Sequence, residues 1–196
     1  MGCILCALFA PALAQNLSAG LAPAAAGPTF DASVGYTNVT MLTSGQHVNM
    51  GGLDLAGHVD LNPFWGAMLD TSYVRTADVL GTGHPAYQWS FLGGPMIYPA
   101  YHGKTRVFVR GLVGAALVDG AVPISKTDYA HGWMFRFSYA LGGGVERGLS
   151  GPFGVRVGAD YQHAAYFDGT GAVRPQGNVR LTASLVYRLH LHDGAK

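Results

Sequence analysis

The chain has 196 residues, and its 12 Lys and Arg nearly balance its 11 Asp and Glu, for a formal charge of +1. That balance leaves no basic field for phosphate neutralisation, which excludes nucleic-acid binding driven by backbone charge. Charged residues make up 12% of the chain, about half of the ~25% usual in soluble domains, so much of the surface is expected not to face water.

The first feature in chain order is an apolar run from Cys3 to Ala14, interrupted only by Pro11. It is shorter than the roughly 20 residues of a spanning helix. It ends on a small-x-small site, Ala12-Leu13-Ala14 before Gln15, and so reads as a secretory signal over 1–14. Only Met1 and Gly2 precede it and neither is basic, which points to a true start upstream. Cys3 and Cys6 both lie in this leader, so no disulfide framework or thiol chemistry is expected after processing. Residues 15–28 are rich in Ala, Pro and Gly and read as a linker.

From Phe30 onward, hydrophobicity alternates with period two in stretches of about ten residues, separated by Gly-, Pro- and Asp-rich breaks. The apolar parity gives eight rows, at residues 30–36, 53–61, 65–73, 87–93, 107–117, 133–141, 153–161 and 181–189. None of these rows contains a charged residue. The opposite parity carries Asp31, Asp54, Asp60, Asp70 and Asp160 with Arg106, Arg110, Arg136, Arg156, Arg180 and Arg188. Around those charges stand small or polar residues such as Ser33, Gly35, Ser72, Gly114, Ser138 and Thr182. Small residues mixed with acids and arginines fit the filled interior of a narrow barrel. Glu146 reads as a turn residue.

An apolar outside and a polar inside are the pattern of a transmembrane β-barrel. Closure follows from the solvent, because an open sheet edge in hydrocarbon leaves N–H and C=O groups unpaired. Trp65, Tyr73, Tyr87, Trp89, Trp133 and Tyr161 fall near row ends, where aromatic girdles meet the two interfaces. The connections alternate in length: 42–52 long, 62–64 short, 74–86 long, 98–105 shorter, 118–132 long, 142–152 a tight turn around Glu146-Arg147, and 162–179 long. The expectation is an all-β, eight-stranded antiparallel up-and-down transmembrane β-barrel over 29–190, both ends on the short-turn, periplasmic rim, followed by a tail at 191–196.

The run from Gly51 to Arg188 resembles the OmpA/OmpX-type outer-membrane β-barrel domain of Gram-negative bacteria. The pieces that carry the resemblance include Trp65-Gly66-Ala67-Met68-Leu69-Asp70, Phe91-Leu92-Gly93-Gly94-Pro95 and Arg110-Gly111-Leu112-Val113-Gly114. To these add Ala140-Leu141-Gly142-Gly143-Gly144-Val145, Gly158-Ala159-Asp160-Tyr161 and the closing Arg180-Leu181-Thr182-Ala183-Ser184-Leu185-Val186-Tyr187-Arg188. They are patterns of fold rather than of catalysis. The resemblance implies an exported protein of the cell outer membrane, monomeric, in contact with outer-membrane lipids and inserted by the barrel-assembly machinery. Two departures matter. Such barrels usually end on an aromatic residue, whereas Tyr187-Arg188-Leu189 is followed by seven more residues here. The peptidoglycan-binding domain of full-length OmpA relatives is absent, so no anchoring to the cell wall is expected.

Within so narrow a barrel, the charged interior row reads as a structural ion-pair core in preference to a conducting lumen. His163, near Asp160, has no Ser or acid at a spacing that suits hydrolysis and reads as a polar rim residue. His190, His192 and Asp193 have metal-ligand residue types but lie on a tail. Gly142-Gly143-Gly144 and Gly111-x-x-Gly114 lack the Lys, Ser/Thr and following helix of a phosphate cradle. Asn38-Val39-Thr40 has the form of a glycosylation acceptor but lies in a strand. No catalytic residue, metal or cofactor is expected. The expected role is structural or surface-interacting, through exposed loops. The alternatives are a narrow ion-conducting pore, a lipid-acting membrane enzyme, or a soluble barrel whose apolar rows face inward around a ligand.

Overall fold

The computed structural model describes residues 28–43, 46–79, 83–120, 122–123, 129–130, 132–167 and 173–189. The signal over 1–14, the linker to Gly27, both cysteines and the residues His190, His192 and Asp193 lie outside them. Among the described residues, eight strands form the barrel: β1 (Thr29–Thr43), β2 (Gln46–Asn62), β3 (Trp65–Thr76), β4 (Ala86–His102), β5 (Thr105–Gly120), β6 (Trp133–Gly148), β7 (Phe153–Phe167) and β8 (Val173–Leu189). Each pairs antiparallel with its sequence neighbours, and β1 closes on β8 through pairs such as Phe30↔Leu189 and Asp31↔Arg188. A short ribbon, Val122–Pro123 against Tyr129–Ala130, stands in the connection between β5 and β6. The result is a closed up-and-down barrel without edges.

Every apolar row faces outward. Leu69 is 73% exposed, Phe135 68% and Leu53 63%, while their neighbours on the other parity, Asp70, Met134 and Asp54, are buried. An exterior of Leu, Val and Phe along the barrel is a lipid-facing surface. A soluble barrel with inward apolar rows is thereby overturned.

One rim, called inner here, holds Thr29, Leu189 and the connections 63–64, 103–104 and 149–152. Gly103 takes φ 58° in the two-residue link 103–104, a left-handed conformation that favours glycine. The outer rim is where β1, β3, β5 and β7 end and β2, β4, β6 and β8 begin. The strands outrun the apolar rows, to as many as 17 residues. So the first link is 44–45 rather than 42–52, and the link before β7 is 149–152 rather than 142–152. The last is 168–172 rather than 162–179. Glu146, expected in a turn, lies inside β6.

The reason is visible in β1 and β2. Tyr36 faces out, but at Val39 and Met41 the apolar residues have moved to the inside, and Val48 and Met50 do the same on β2. Asn38 and Thr40 now face out, and Thr40 Oγ1 donates to Asn49 Oδ1 at 2.8 Å on the exposed side. Above the girdle water replaces hydrocarbon, and the sidedness of the strand reverses with the solvent. The same extension corrects a second expectation, because the lengthened strands carry charge on the outward parity: Arg75 near the outer end of β3, Asp119 at that of β5, and Arg147 near the inner end of β6. All three lie towards the barrel's rims, where a charge reaches water.

Candidate functional site

The lumen is the place where polar chemistry concentrates, and it is organised in layers. The inner layer centres on Glu146 of β6, fully buried. Arg156 grips Oε2 with Nε at 2.9 Å and Nη2 at 2.7 Å. Arg106 reaches Oε1 with Nε at 3.0 Å and Nη2 at 2.9 Å, and Arg188 Nη2 reaches the same oxygen at 2.7 Å. Asp31 accepts from Arg156 Nη2 at 3.2 Å, and Asp60 from Arg106 Nη1 at 2.8 Å. Between these two carboxylates sits His58, with Nδ1 3.0 Å from Asp31 Oδ2 and Nε2 3.1 Å from the hydroxyl of Tyr98. The Arg106 guanidinium lies 4.1 Å from the Tyr98 ring centroid, close enough for a cation–π contact.

Four residues further outward on β2, β5 and β7 lies the second layer. Arg110 holds Asp160 bidentately, Nε to Oδ1 at 2.9 Å and Nη2 to Oδ2 at 2.6 Å. Arg180, fully buried, donates to Asp54 at 3.0 Å and to Asp70. Beside the layers, Met68, Leu92, Met96, Phe108 and Leu112 pack together as an apolar cluster on the β3 to β6 side. Packing of Phe108 requires glycine: a Cβ at Gly144 would collide with the carbonyl of Val157 and lie 2.8 Å from the Phe108 ring. Outward of the second layer come Gln88, Ser90, Gln162 and Asn178, and finally an apolar cluster of Val39, Met41, Val48, Met50, Val74 and Val118.

The expected lumen residues therefore divide. Asp31, Asp60, Arg106, Arg156 and Arg188 meet in the inner layer, and Asp54, Asp70, Arg110, Asp160 and Arg180 in the second. Arg136 is corrected: it is exposed, near the outer end of β6, and belongs to neither layer. At that height the reversed sidedness makes the interior apolar, which leaves a guanidinium only the water at the mouth. Glu146, His58 and Tyr98 were not anticipated. Tyr98 joins the lumen at an irregularity between Ile97 and Ala100. The irregularity shifts the register so that Tyr98 and Tyr101 both reach inward contacts, Tyr101 donating to the Pro63 carbonyl.

All six expected interface aromatics lie on the outward parity. Tyr73 packs on Trp89 at 4.6 Å and stacks with Tyr87 at 6.3 Å, near the outer rim. Tyr161 meets Tyr139 at 6.4 Å. Trp133 stands higher, at the very end of β6, and Trp65 marks the inner rim beside exposed Phe64. Phe153 and Tyr187, 5.4 Å apart, complete that inner belt. Between the belts an apolar hollow lies over Gly57 and Gly93, rimmed by Leu55, Leu69, Phe91 and Val113.

Asp31, His58 and Asp60 offer three metal-ligand atoms within 4.8 Å of one another. Both carboxylates are already held by Arg106 and Arg156, so a divalent ion would enter against two guanidinium charges. Among the described residues, no serine hydroxyl is hydrogen-bonded to the His163 ring. Its ring stacks on Tyr139 at 4.9 Å, and Ser138 Oγ donates to its backbone carbonyl at 2.7 Å.

No family model matches the chain, and no curated protein matches it in sequence. Solved structures do match in fold. Neisserial surface protein A shares 10% identity at a TM-score of 0.64, covering 83% of this chain and 99% of that one. Ail, the attachment invasion locus protein of Yersinia pestis, shares 16% identity at 0.59, covering 84% and 100%. The outer membrane protein OprG from Pseudomonas aeruginosa shares 14% identity at 0.53, covering 85% and 97%. The chain thus has the fold of the small outer-membrane β-barrels, of OmpA/OmpX type.

Proposed function

We propose that this outer-membrane β-barrel acts through its exterior and its outer connections, as a structural and surface-interaction protein, and not as a pore or a lipid hydrolase. The observation that carries this reading is the lumen. Two ion-pair layers and an apolar cluster stand in series along it, most of their residues buried, which supports a lumen filled by side chains. What remains for contact with a partner is the outer rim, where β3, β5 and β7 lead into 77–85, 121–132 and 168–172. His163 supports no catalytic role, because its ring is stacked and the neighbouring hydroxyl is turned to the backbone.

One similar structure, Ail, was solved with the heparin analogue sucrose octasulfate. The outer connections here mix His84, Asp78, Lys126, Asp128 and Asp168, a balance that does not favour a polyanion. We therefore expect a protein surface as the partner.

The test compares cells displaying the full chain with cells displaying a chain whose 77–85 and 121–132 are cut to two-residue Asn-Gly turns. Attachment to protein-coated, sulfated-glycan-coated and bare hydrophobic surfaces is scored. The reading expects attachment to the protein-coated surface to fall with the loops and to survive Arg110→Lys. Equal attachment by both chains to every surface would sink it.

A further inference from the structure

The exterior of the barrel at its inner rim carries charge of one sign. Lys104, in the link 103–104, and Arg147, near the inner end of β6, are both exposed. They are neighbours, because Thr105 pairs with Arg147 and the Gly148 N–H donates to the Lys104 carbonyl at 2.8 Å. The Lys104 ammonium donates to the Leu149 carbonyl at 3.4 Å. The carboxylates at this end of the barrel, Asp31, Asp60 and Glu146, are taken by Arg106, Arg156 and Arg188. Among the described residues, Lys104 and Arg147 therefore have no acidic partner.

The lipid-facing wall just outward of Arg147 is hollowed. The hollow crosses β6, β7, β8 and β1, over the small residues Gly143, Ala159 and Ala183. Val157, Leu181 and Tyr36 stand around it with more than half of their surface free. Its edge on β6 is Val145, two residues from Arg147 and on the same face of the strand, hence roughly 7 Å away along it. An apolar furrow and a pair of unbalanced cations thus adjoin at the inner interface. The outer end of the wall is mixed in sign, since Arg75 and Asp119 both flank Tyr87.

We propose that this face seats an anionic phospholipid of the inner leaflet, its phosphate against Lys104 and Arg147 and one acyl chain in the hollow beyond Val145. The hollow alone would take the chain of any lipid, and the two cations supply the choice of headgroup. A basic side chain at a membrane surface favours anionic lipid by about fivefold, so two give on the order of 20-fold. A zwitterionic headgroup brings an ammonium of its own, which these cations repel and which no acid on this part of the exterior receives among the described residues. The site is separate from the lumen and from the outer connections.

The test uses the full chain, released from mild detergent micelles in native mass spectrometry, with dioleoyl phosphatidylglycerol or dioleoyl phosphatidylcholine added at equal concentration. The proposal expects one phosphatidylglycerol to be retained on the order of 20-fold better than phosphatidylcholine. Lys104→Gln and Arg147→Gln should each weaken its retention by about fivefold, and the double variant should bring the two lipids level. Ala159→Phe, which fills the hollow, should weaken both lipids, and Arg136→Gln should change neither. Gel mobility without boiling checks that each chain is folded. Equal retention of the two lipids by the wild type, or a preference that survives the double variant, would overturn the proposal. So would a preference removed by Arg136→Gln, which would place the phosphate at the outer rim. The wild type and Lys104→Gln, in an exposed link, decide the question if Arg147→Gln does not fold.

Discussion

Glu146→Ala is the perturbation that tests the ion-pair lumen most sharply. In the wild type this one fully buried carboxylate receives Arg106, Arg156 and Arg188. Removing it leaves three guanidiniums against Asp31 and Asp60. Arg156, whose side chain is 3% exposed, keeps only the Asp31 contact at 3.2 Å and cannot reach water. Arg188 is 27% exposed and can turn to the inner rim, which softens the loss. Breaking a buried pair by deleting one partner costs about 3–5 kcal/mol, and the escape of Arg188 puts the expected loss near the lower end. A loss of about 3 kcal/mol lowers the folded-to-unfolded ratio on the order of 100-fold. Equilibrium urea unfolding in lipid vesicles, followed by tryptophan fluorescence and by gel mobility without boiling, reads it. The double variant Glu146→Leu with Arg156→Leu should recover part of the loss, because it removes charge of both signs. Arg136→Ala, at an exposed position outside both layers, should stay within about 0.5 kcal/mol of wild type. If Glu146→Ala behaves like Arg136→Ala, the layers do not hold the barrel.

The exterior and the strand geometry make further predictions. Leu69→Arg, at a lipid-facing position 73% exposed, should destabilise the barrel by about 2–4 kcal/mol in bilayers, whereas Asn49→Arg, outward but above the girdle, should cost about 0–1 kcal/mol. Equal losses in the same urea titration would contradict the reversal of sidedness. Spin labels at Tyr36 and Thr40 should report oxygen contact and aqueous nickel contact respectively, and an oxygen-rich signal at both would place the membrane too high. Gly144→Ala should abolish heat-modifiable migration on gels, since its Cβ meets the Val157 carbonyl and the Phe108 ring. A normally shifted band would show that the β6–β7 contact yields more easily than its geometry implies.

Much of this architecture is legible in the sequence because lipid enforces a strict period of two. Leu53, Leu55 and Leu69 could be placed outside, and Asp54 and Asp70 inside, from alternation alone. Partners are another matter. That Arg110 chooses Asp160 and Arg180 chooses Asp54 and Asp70 depends on register around a closed barrel, which no local pattern encodes. Glu146 was hidden by Gly142-Gly143-Gly144, which looks like a turn. Those glycines are in fact strand residues, and Gly144 leaves room for the Phe108 ring. His58 carries no formal charge and so left no mark in the charge pattern, and Tyr98 follows the last regular pair before a register shift. The outer ends of β1 and β2 looked like loops because the apolar parity changes sides at Val39 and Met50. A reading that assumes one solvent outside the barrel stops where the second solvent begins.

A lumen filled by ion pairs and apolar side chains should not conduct, and its conductance measures that directly. Purified, folded protein should be inserted into planar bilayers and recorded at single-channel resolution under an applied potential. Wild type is predicted to show no sustained open state, and Arg136→Ala to behave identically. A steady conductance in the wild type, altered by Arg110→Ala, would show that ions pass the Arg110–Asp160 layer and that the barrel is a pore.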